Sequence, residues 1–144
     1  MGYDTKTHNS AEISVTFAGL DIASGRADEF CATEYNKPLY EEQVGPDGEL
    51  IRIKSNDRSA KITIRVKSTS DGHRVMLQLY AQSQLEPNGG DLAPFQVRDR
   101  NRGIVESADL AYIKQAPANA YGQEPGDREW VLYTAELKRL VEVA

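Results

Sequence analysis

The feature that most constrains the fold is a strict alternation of apolar and polar residues between positions 60 and 68. Ile62, Ile64 and Val66 occupy every second position, and lysine, arginine or threonine residues stand between them. Because successive side chains of a strand point to opposite faces, this pattern predicts a half-buried β-strand. The chain is therefore expected to contain a sheet with one face packed on a core.

Weaker alternation predicts further strands on both sides of this segment. They are expected at residues 12–17, 28–35, 50–54, 94–98, 104–114 and 129–143. The 50–54 strand is expected to pair with the 60–68 strand through a turn at residues 55–59. The period changes after Ser68, where Val75, Met76, Leu79 and Tyr80 form an apolar helical stripe within residues 71–85. Residues 87–90, Pro-Asn-Gly-Gly, should end this helix.

These elements predict a mainly β protein, a β-sandwich or small barrel of about seven strands with one packed α-helix. Residues 1–144 are interpreted as a single domain, in which residues 1–10 form a flexible N-terminal arm. Eight residues are expected to be buried in the core: Phe17, Ile62, Ile64, Val75, Met76, Leu79, Tyr112 and Trp130.

Composition excludes several classes of function. The 144 residues carry 17 basic and 22 acidic side chains, a net charge of −5. A protein that binds nucleic-acid phosphates would be expected to carry net positive charge. A single cysteine, Cys31, cannot form an intrachain disulfide and is expected to be a buried or half-buried residue rather than a nucleophile. No apolar run of 18 residues occurs, and the first ten residues are polar, so neither a membrane span nor a secretory signal is expected.

The residues that carry enzymatic chemistry are sparse. Two histidines, His8 and His73, are both expected on the surface, and with one cysteine they cannot build a Cys/His metal site. No glycine-rich phosphate loop is present. Residues 99–103 are interpreted as a hairpin turn rather than a calcium loop, because they carry two arginines. The sequence therefore favours a protein that is not an enzyme and has no cofactor.

Two features favour contacts with other chains. Residues 36–49 are interpreted as a long loop in which Leu39, Tyr40 and Val44 lack an obvious apolar partner, and long loops are usually functional. A basic row runs through Arg58, Lys61, Arg65 and Lys67. It is either a solvated strand face or a contact surface for acidic residues of another copy.

One block of the sequence has a recognisable order of motifs. Residues 41–63 read EEQVGPDGELIRIKSNDRSAKIT, in which a V-G-x-D-G-E segment leads to a strand, then to S-N-D-R-S and a β-branched strand. A Thr-Ser helix start, an Asn-Gly-Gly segment and an Arg-Glu-Trp-Val-Leu strand follow in order. This arrangement resembles the tail tube proteins of contractile-tailed bacteriophages over nearly the whole chain. Ala60, often glycine in relatives, and the basic turn with Arg100 and Arg102 depart from the pattern.

The resemblance implies a structural building block of the virion tail that is assembled in the host cytoplasm. Six copies form a ring, rings stack into a tube inside a sheath, baseplate and tail-terminator proteins bind its ends, and DNA passes through the lumen without specific binding. The resemblance also indicates residues 36–49 as a stacking loop. The candidate inter-subunit contacts are Leu39, Tyr40, Val44, Asp47, Arg58, Lys61 and Arg65. A tube protein of a contractile injection or type VI-like secretion system, and a monomeric β-sandwich binding module, are the alternatives.

Strand alternation also suggests which side chains face such a lumen. If Phe30 and Ala32 point to the core, Glu29 and Thr33 point away from it. If Ala108, Leu110 and Tyr112 point to the core, Ser107 and Asp109 point away, as does Gln96 between its apolar neighbours. The candidate lumen-facing residues are Glu29, Thr33, Gln96, Ser107 and Asp109. A net negative lumen is expected, because basic walls would bind the phosphates of a passing duplex.

Overall fold

A computed structural model describes residues 5–22, 26–87 and 90–141, without the side chains of Arg26 and Asp28. In this part of the chain a 3-10 turn, Ser10–Glu12, precedes ten strands and one helix. The elements are β1 (Ile13–Phe17), β2 (Leu20–Asp21), β3 (Arg26–Tyr35), β4 (Tyr40–Val44), β5 (Leu50–Lys54), β6 (Ala60–Lys67), α1 (Asp71–Leu85), β7 (Ala93–Asp99), β8 (Ile104–Gln115), β9 (Asp127–Thr134) and β10 (Lys138–Val141).

Eight of these strands form one antiparallel sheet. Its order is β2-β1-β7-β8-β9-β6-β3, and β10 pairs with β8 beside it. The other two strands, β4 and β5, pair only with each other in the described part of the chain. The predicted mainly β architecture with one helix is therefore confirmed.

The main sheet folds back on itself. The evidence is a contact between β3, at one end of the sheet order, and β8, three positions away in that order. Thr33 of β3 donates its hydroxyl to Glu106 of β8 over 2.7 Å, although β6 and β9 lie between these strands in the sheet. Three strand spacings would separate β3 from β8 by about 14 Å in a flat sheet. Two packed layers result. The β6 layer contains β3, β6, β9 and the C-terminal half of β8, and the β7 layer contains β2, β1, β7, the N-terminal half of β8 and β10.

A bulge in β8 makes one corner between the two layers. Phe95 lies opposite Ala108 whereas Ala93 lies opposite Ala111, so β8 carries one residue more than β7 between these pairs. An extra residue bends a strand and reverses which side chains face the core. Strands that change layers through bulges and bends are typical of β-sandwich corners.

The C-terminal segment, predicted as one strand, is interrupted at the same level and forms β9 and β10. Thr134 of β9 lies opposite Ala111, and Lys138 of β10 lies opposite Ser107, so β10 continues the register of β9 after a gap of three residues. Leu137 within the gap is buried. The prediction of one continuous strand over residues 129–143 is therefore wrong at residues 135–137, and residues 142–143 lie outside the described residues.

The core lies between the layers, and α1 contacts β2 and β6. Five predicted core residues are confirmed as buried: Phe17, Ile62, Ile64, Met76 and Trp130. Val75 and Leu79 are half-buried and pack against the core from the helix. Cys31 is half-buried as expected and packs against it from β3.

The bulge overturns the predicted inward face of the second half of β8. Leu110, expected in the core, is 57 % exposed, and Tyr112 packs instead against the ring of Tyr133, with ring centroids 5.9 Å apart. Ala111 and Ile113 take the buried positions. A simple alternation carried through from Ala108 could not anticipate this change, because the extra residue shifts the phase by one.

Residues 36–49 are not the continuous loop that was expected. Residues 40–44 form β4, which pairs with β5 from Tyr40 opposite Lys54 to Val44 opposite Leu50. The turn between them is closed by a hydrogen bond from the Gly45 amide to the Glu49 carbonyl at 2.8 Å. The predicted pairing of the 50–54 strand with the 60–68 strand is therefore wrong, and β6 pairs with β3 and β9 instead.

The helix begins as the sequence indicates, but His73 lies elsewhere than expected. Ser70 caps α1 by accepting a hydrogen bond from the His73 amide. The His73 ring is buried rather than on the surface, and its Nδ1 accepts a 3.1 Å hydrogen bond from the Trp130 indole. Burial, followed by the nearby positive charge of Arg128, lowers the pKa of His73 below 6.5.

The end of the predicted arm is attached to the domain. The Asn9 amide donates to the Asn101 side chain over 3.1 Å, and that side chain donates back to the Asn9 carbonyl. Residues 5–8 are exposed, and residues 1–4 of the predicted arm lie outside the described residues. Within the described chain no helix is both long and apolar enough to span a membrane.

Candidate assembly surfaces

The β4–β5 hairpin is the most distinctive surface, because it carries apolar side chains outside the core. Val44 and Leu50 flank its turn and are 68 % and 60 % exposed. Ile51 and Ile53 lie on one face of the hairpin and are also exposed. Of these four residues the sequence prediction indicated only Val44, because residues 50–54 were assigned to the main sheet. Exposed apolar clusters of this kind mark interaction sites.

The base of the hairpin is closed by contacts between its own two strands and their flanking residues. The Ser55 amide donates to the Leu39 carbonyl over 2.8 Å and closes the base. The guanidinium of Arg52 lies over the Tyr40 ring, 4.6 Å from its centroid, in a cation–π contact. Leu39 and the turn residue Asp47 are exposed. Four predicted contact residues, Leu39, Tyr40, Val44 and Asp47, are therefore brought together on this hairpin.

Arg58, another predicted contact residue, is occupied by contacts within the chain. Its guanidinium donates to the backbone carbonyls of Ser55 and Asp57 over 3.1 and 3.2 Å. Hydrogen bonds from Ser59 lower the pKa of the Asp57 carboxyl, which keeps a negative charge beside this turn. These contacts fix the junction between β5 and β6, so the structure gives Arg58 a positioning role in its own domain.

Two members of the predicted basic row, Arg65 and Lys67, are paired with carboxylates on the outer face of the β6 layer. Arg65 lies 3.5 Å from both Glu29 and Glu129, and Lys67 lies 2.8 Å from Asp127. These acidic partners come from β3 and β9, which the linear sequence does not place beside β6. The face carrying Lys61 and Arg65 is therefore of mixed charge rather than positive. That it contacts another copy remains a prediction.

The outer face of the β7 layer is mostly small and polar. Gln96 lies opposite Thr16 on β1 and opposite Ser107 on β8, so these three side chains share one face. Arg98 and Lys138 add two cations to this face, and Asp21, opposite Thr16, adds a carboxylate. Gln96 and Ser107, both predicted to face a lumen, are therefore neighbours.

The remaining candidate lumen residues are distributed differently. Thr33 lies opposite buried Ile62 and points between the layers, where it contacts Glu106. A register shift between residues 26 and 31 of β3 is the reason that the assumed alternation fails there, and Ala32, expected in the core, pairs with outward-facing Thr63. Glu29 lies on the outer face of the β6 layer, and exposed Asp109 lies at the corner, where it lines a shallow pocket with Lys138. No single face holds all five candidates.

The two sheet layers differ in their free edges. The edge of β3 is contacted by Arg139, whose guanidinium donates to the Thr33 carbonyl over 2.8 Å and lies over the Tyr35 ring. Among the described strands β10 pairs with β8 alone, and β2 pairs with the last two residues of β1, next to which the Ile22 amide donates to the Val15 carbonyl over 3.3 Å. Leu140 and Val141 on β10 are exposed. Among the described strands, the β7 layer therefore ends at β10 on one side and at the short strand β2 beside β1 on the other.

No arrangement of side chains within the described residues indicates catalysis by a metal. Groups of three or more histidine, cysteine or carboxylate side chains that could hold an ion do not occur there.

Comparisons with known proteins agree with this description. Residues 6–141 match the family model described as "Bacteriophage PhiTE tail tube protein". "Structural protein ORF10" of Pseudomonas phage KPP10 is 22 % identical over 125 residues, which are 87 % of this chain and 69 % of that protein.

Solved structures share the fold at low identity. A sheath/tube terminator of an extracellular contractile injection system, PVC, in its extended state superposes with a TM-score of 0.63 at 11 % identity, covering 95 % of this chain and 99 % of that one. A chain from the tail of an empty gene transfer agent particle, refined with C6 symmetry, gives a TM-score of 0.61 at 15 % identity, covering 95 % and 100 %. The family match extends over nearly the whole chain, and the protein therefore belongs to the PhiTE-type phage tail tube family, whose members are structural proteins rather than enzymes.

Proposed function

We propose that this tail tube protein assembles into six-membered rings, that the rings stack into a tube, and that DNA passes through the lumen during injection. The observation that carries the proposal is the β4–β5 hairpin, whose exposed apolar tip has no partner within the described domain. The sixfold number is supported by the C6 symmetry of the gene transfer agent tail, whose subunit has the same fold.

Ring closure is proposed to join the two outer edges of the β7 layer. β10 of one copy would pair with β1 or β2 of the next copy, which is a head-to-tail contact that closes into a ring. Each copy would give four strands, β1, β7, β8 and β10, to a continuous barrel without exposed edges. About 24 tilted strands give a backbone diameter of roughly 37–48 Å, which accommodates a duplex.

Ring stacking is proposed to use the hairpin. Val44 and Leu50 at its tip and Ile51 and Ile53 on one face would become buried against the adjacent ring. Burial of such residues is the principal favourable contribution to protein association. In this arrangement Leu39 and Tyr40 at the base, and Asp47 in the turn, lie at the margin of the contact.

The lumen is proposed to be lined by the outer face of the β7 layer, with Gln96 and Ser107 at its centre and Asp109 at its margin. Short hydroxyl and amide side chains offer few sites at which phosphates bind strongly. The cations Arg98 and Lys138 are balanced by Asp21 and Asp109, so the proposed wall is close to neutral rather than net negative as the sequence predicts. Glu29 and Thr33 lie away from this face and are not included in the proposed wall.

The remaining surfaces would face other tail proteins. A sheath protein is proposed to surround the tube, with baseplate and terminator proteins at its ends, and assembly would precede release of the virion from the host cytoplasm. Support comes from the solved sheath/tube terminator that shares this fold. The phage tail tube family match and the phage relative favour a phage-like tail over a protein-secreting machine.

Electron microscopy of the purified protein tests this proposal. The wild-type chain should form rings of six and stacked tubes in negative stain. A variant in which residues 40–54 are replaced by two glycines should keep the circular dichroism spectrum of a folded β protein and form no tubes. The replacement must include all of β4 and β5, because removing only residues 37–46 would leave β5 unpaired. Normal tubes from this variant, or a wild-type protein that never associates, would refute the stacking role.

A further inference from the structure

A buried arginine lies near the start of β9, beside the first turn of α1. Arg128, on β9, is only 7 % exposed. Its guanidinium donates to the carbonyls of Ala120 and Asp127 over 2.6 and 3.3 Å, while its buried Nε has no hydrogen-bond partner. Within the described residues no carboxylate forms an ion pair with Arg128. Buried charges are ordinarily paired, because an unpaired charge in a low-dielectric site is unfavourable.

Arg128 lines a cavity of about 500 Å³ together with a second arginine. Arg74 in α1 reaches the same cavity, and His73, Ser68 and Thr69 complete this wall. The opposite wall is the loop of residues 119–126, which contains Glu124, the single carboxylate among the lining residues. The cavity therefore combines two guanidinium groups with the hydroxyl groups of Ser68, Thr69 and Tyr121 in a space large enough for a small ligand.

The position of the cavity strengthens its preference for negative charge. It lies at the N-terminal end of α1, a 15-residue helix, where the backbone dipole favours anions. Guanidinium groups bind carboxylate and phosphate oxygens through two parallel hydrogen bonds. The lowered pKa of His73, which results from burial and then from Arg128, is consistent with this excess of positive charge.

We propose that this cavity is a binding site for a small oxyanion, a phosphate or carboxylate group, held by Arg128 and Arg74. The buried guanidinium of Arg128 supplies the fixed charge, and exposed Arg74 closes on the anion from the helix. The site is separate from the hairpin and from the β7 face, so it does not depend on the proposed tube assembly.

The single tryptophan of the chain makes the site directly observable. Trp130 donates its indole N–H to His73, whose ring forms part of the cavity wall. The purified protein is titrated with sodium phosphate, sodium acetate or sodium chloride at constant ionic strength and pH, while the tryptophan emission is recorded. Isothermal titration calorimetry provides a second measurement of binding. We expect a saturable change with phosphate or acetate, and the anion that saturates identifies the ligand class.

Variants distinguish a built site from general charge screening. Arg74→Gln, an exposed substitution that leaves the core intact, should weaken binding about tenfold. Arg128→Met should abolish binding, and its thermal unfolding is measured alongside because Arg128 also holds the 119–126 loop. The matched control is Arg102→Gln, an exposed arginine in the β7–β8 turn, which should leave binding unchanged. An equal response to chloride, a response that never saturates, or identical affinities for the Arg74→Gln and Arg102→Gln proteins would overturn the proposal.

Discussion

The hairpin tip offers the sharpest perturbation of assembly. We predict that the double variant Val44→Ser and Leu50→Ser folds normally but loses tube formation. Both side chains lie beside the turn of the hairpin and outside the core, 68 % and 60 % exposed. Substitutions at such surface positions usually change the free energy of unfolding by no more than about 0.5 kcal/mol.

The expected effect on stacking follows from the area that these side chains would bury. Complete burial of a valine or leucine side chain contributes about 1.5–3 kcal/mol. About two thirds of each side chain is available for burial, so the pair contributes about 2–4 kcal/mol per subunit. Because every 1.4 kcal/mol is a factor of ten, each subunit contact should weaken about 30-fold or more.

Sedimentation of tubes at increasing protein concentration measures this effect. The concentration at which tubes first pellet should rise at least about 30-fold for the double variant. Leu85→Ser is the matched control, since Leu85 is 83 % exposed on α1, away from the hairpin, and should leave that concentration unchanged. If the double variant and the control pellet alike while both remain folded, the stacking role of the tip is wrong.

Three further predictions concern the stability of the domain and the protection of its N-terminal arm on assembly. Met76→Ala should lower the free energy of unfolding by about 2–5 kcal/mol in chemical denaturation, because this side chain is fully buried. Leu77 is partly exposed, so Leu77→Ala should lower it by less than about 1 kcal/mol. Equal losses would show that α1 does not pack on the sheet through the face that carries Met76. The contribution of neutral His73 to the free energy of unfolding should be fully present above pH 6.5 and decrease as the pH falls toward its lowered pKa, because the unfolded chain then binds a proton that the buried ring does not. His8→Gln should keep this pH dependence of unfolding and His73→Gln should lose it, and a His73→Gln protein with the wild-type pH dependence would contradict the assignment. Trypsin should cleave after exposed Lys6 readily in unassembled protein and slowly in tubes, and equal rates measured by mass spectrometry would exclude a role for the arm in assembly.

Much of the fold could be predicted because most elements carry an unambiguous period. The alternation of Ile62, Ile64 and Val66 identified β6, and the helical stripe gave α1 its observed bounds of Asp71–Leu85. β4 was missed because its sequence, Tyr-Glu-Glu-Gln-Val, has no alternation. The Gly-Pro-Asp-Gly segment between two five-residue segments was the available sign of a hairpin.

The candidate surfaces were harder to predict, because they depend on pairings distant in sequence. Glu29 and Glu129 neutralise Arg65 only because β3 and β9, which are distant from each other in sequence, flank β6 in the sheet. The lumen candidates were derived from an alternation that the register shift in β3 interrupts, so Thr33 points inward. His73 was expected on the surface because the sequence does not show that Trp130 lies beside it.

Helical reconstruction of the assembled tube by cryo-electron microscopy tests the central claim most directly. We predict rings of six copies, with β10 of one copy paired to β1 or β2 of the next. The hairpin of residues 40–54 should contact the adjacent ring, and Gln96 and Ser107 should line a channel with a backbone diameter of roughly 37–48 Å. A tube in which Gln96 and Ser107 face outward, or in which the hairpin touches no neighbouring ring, would contradict the account.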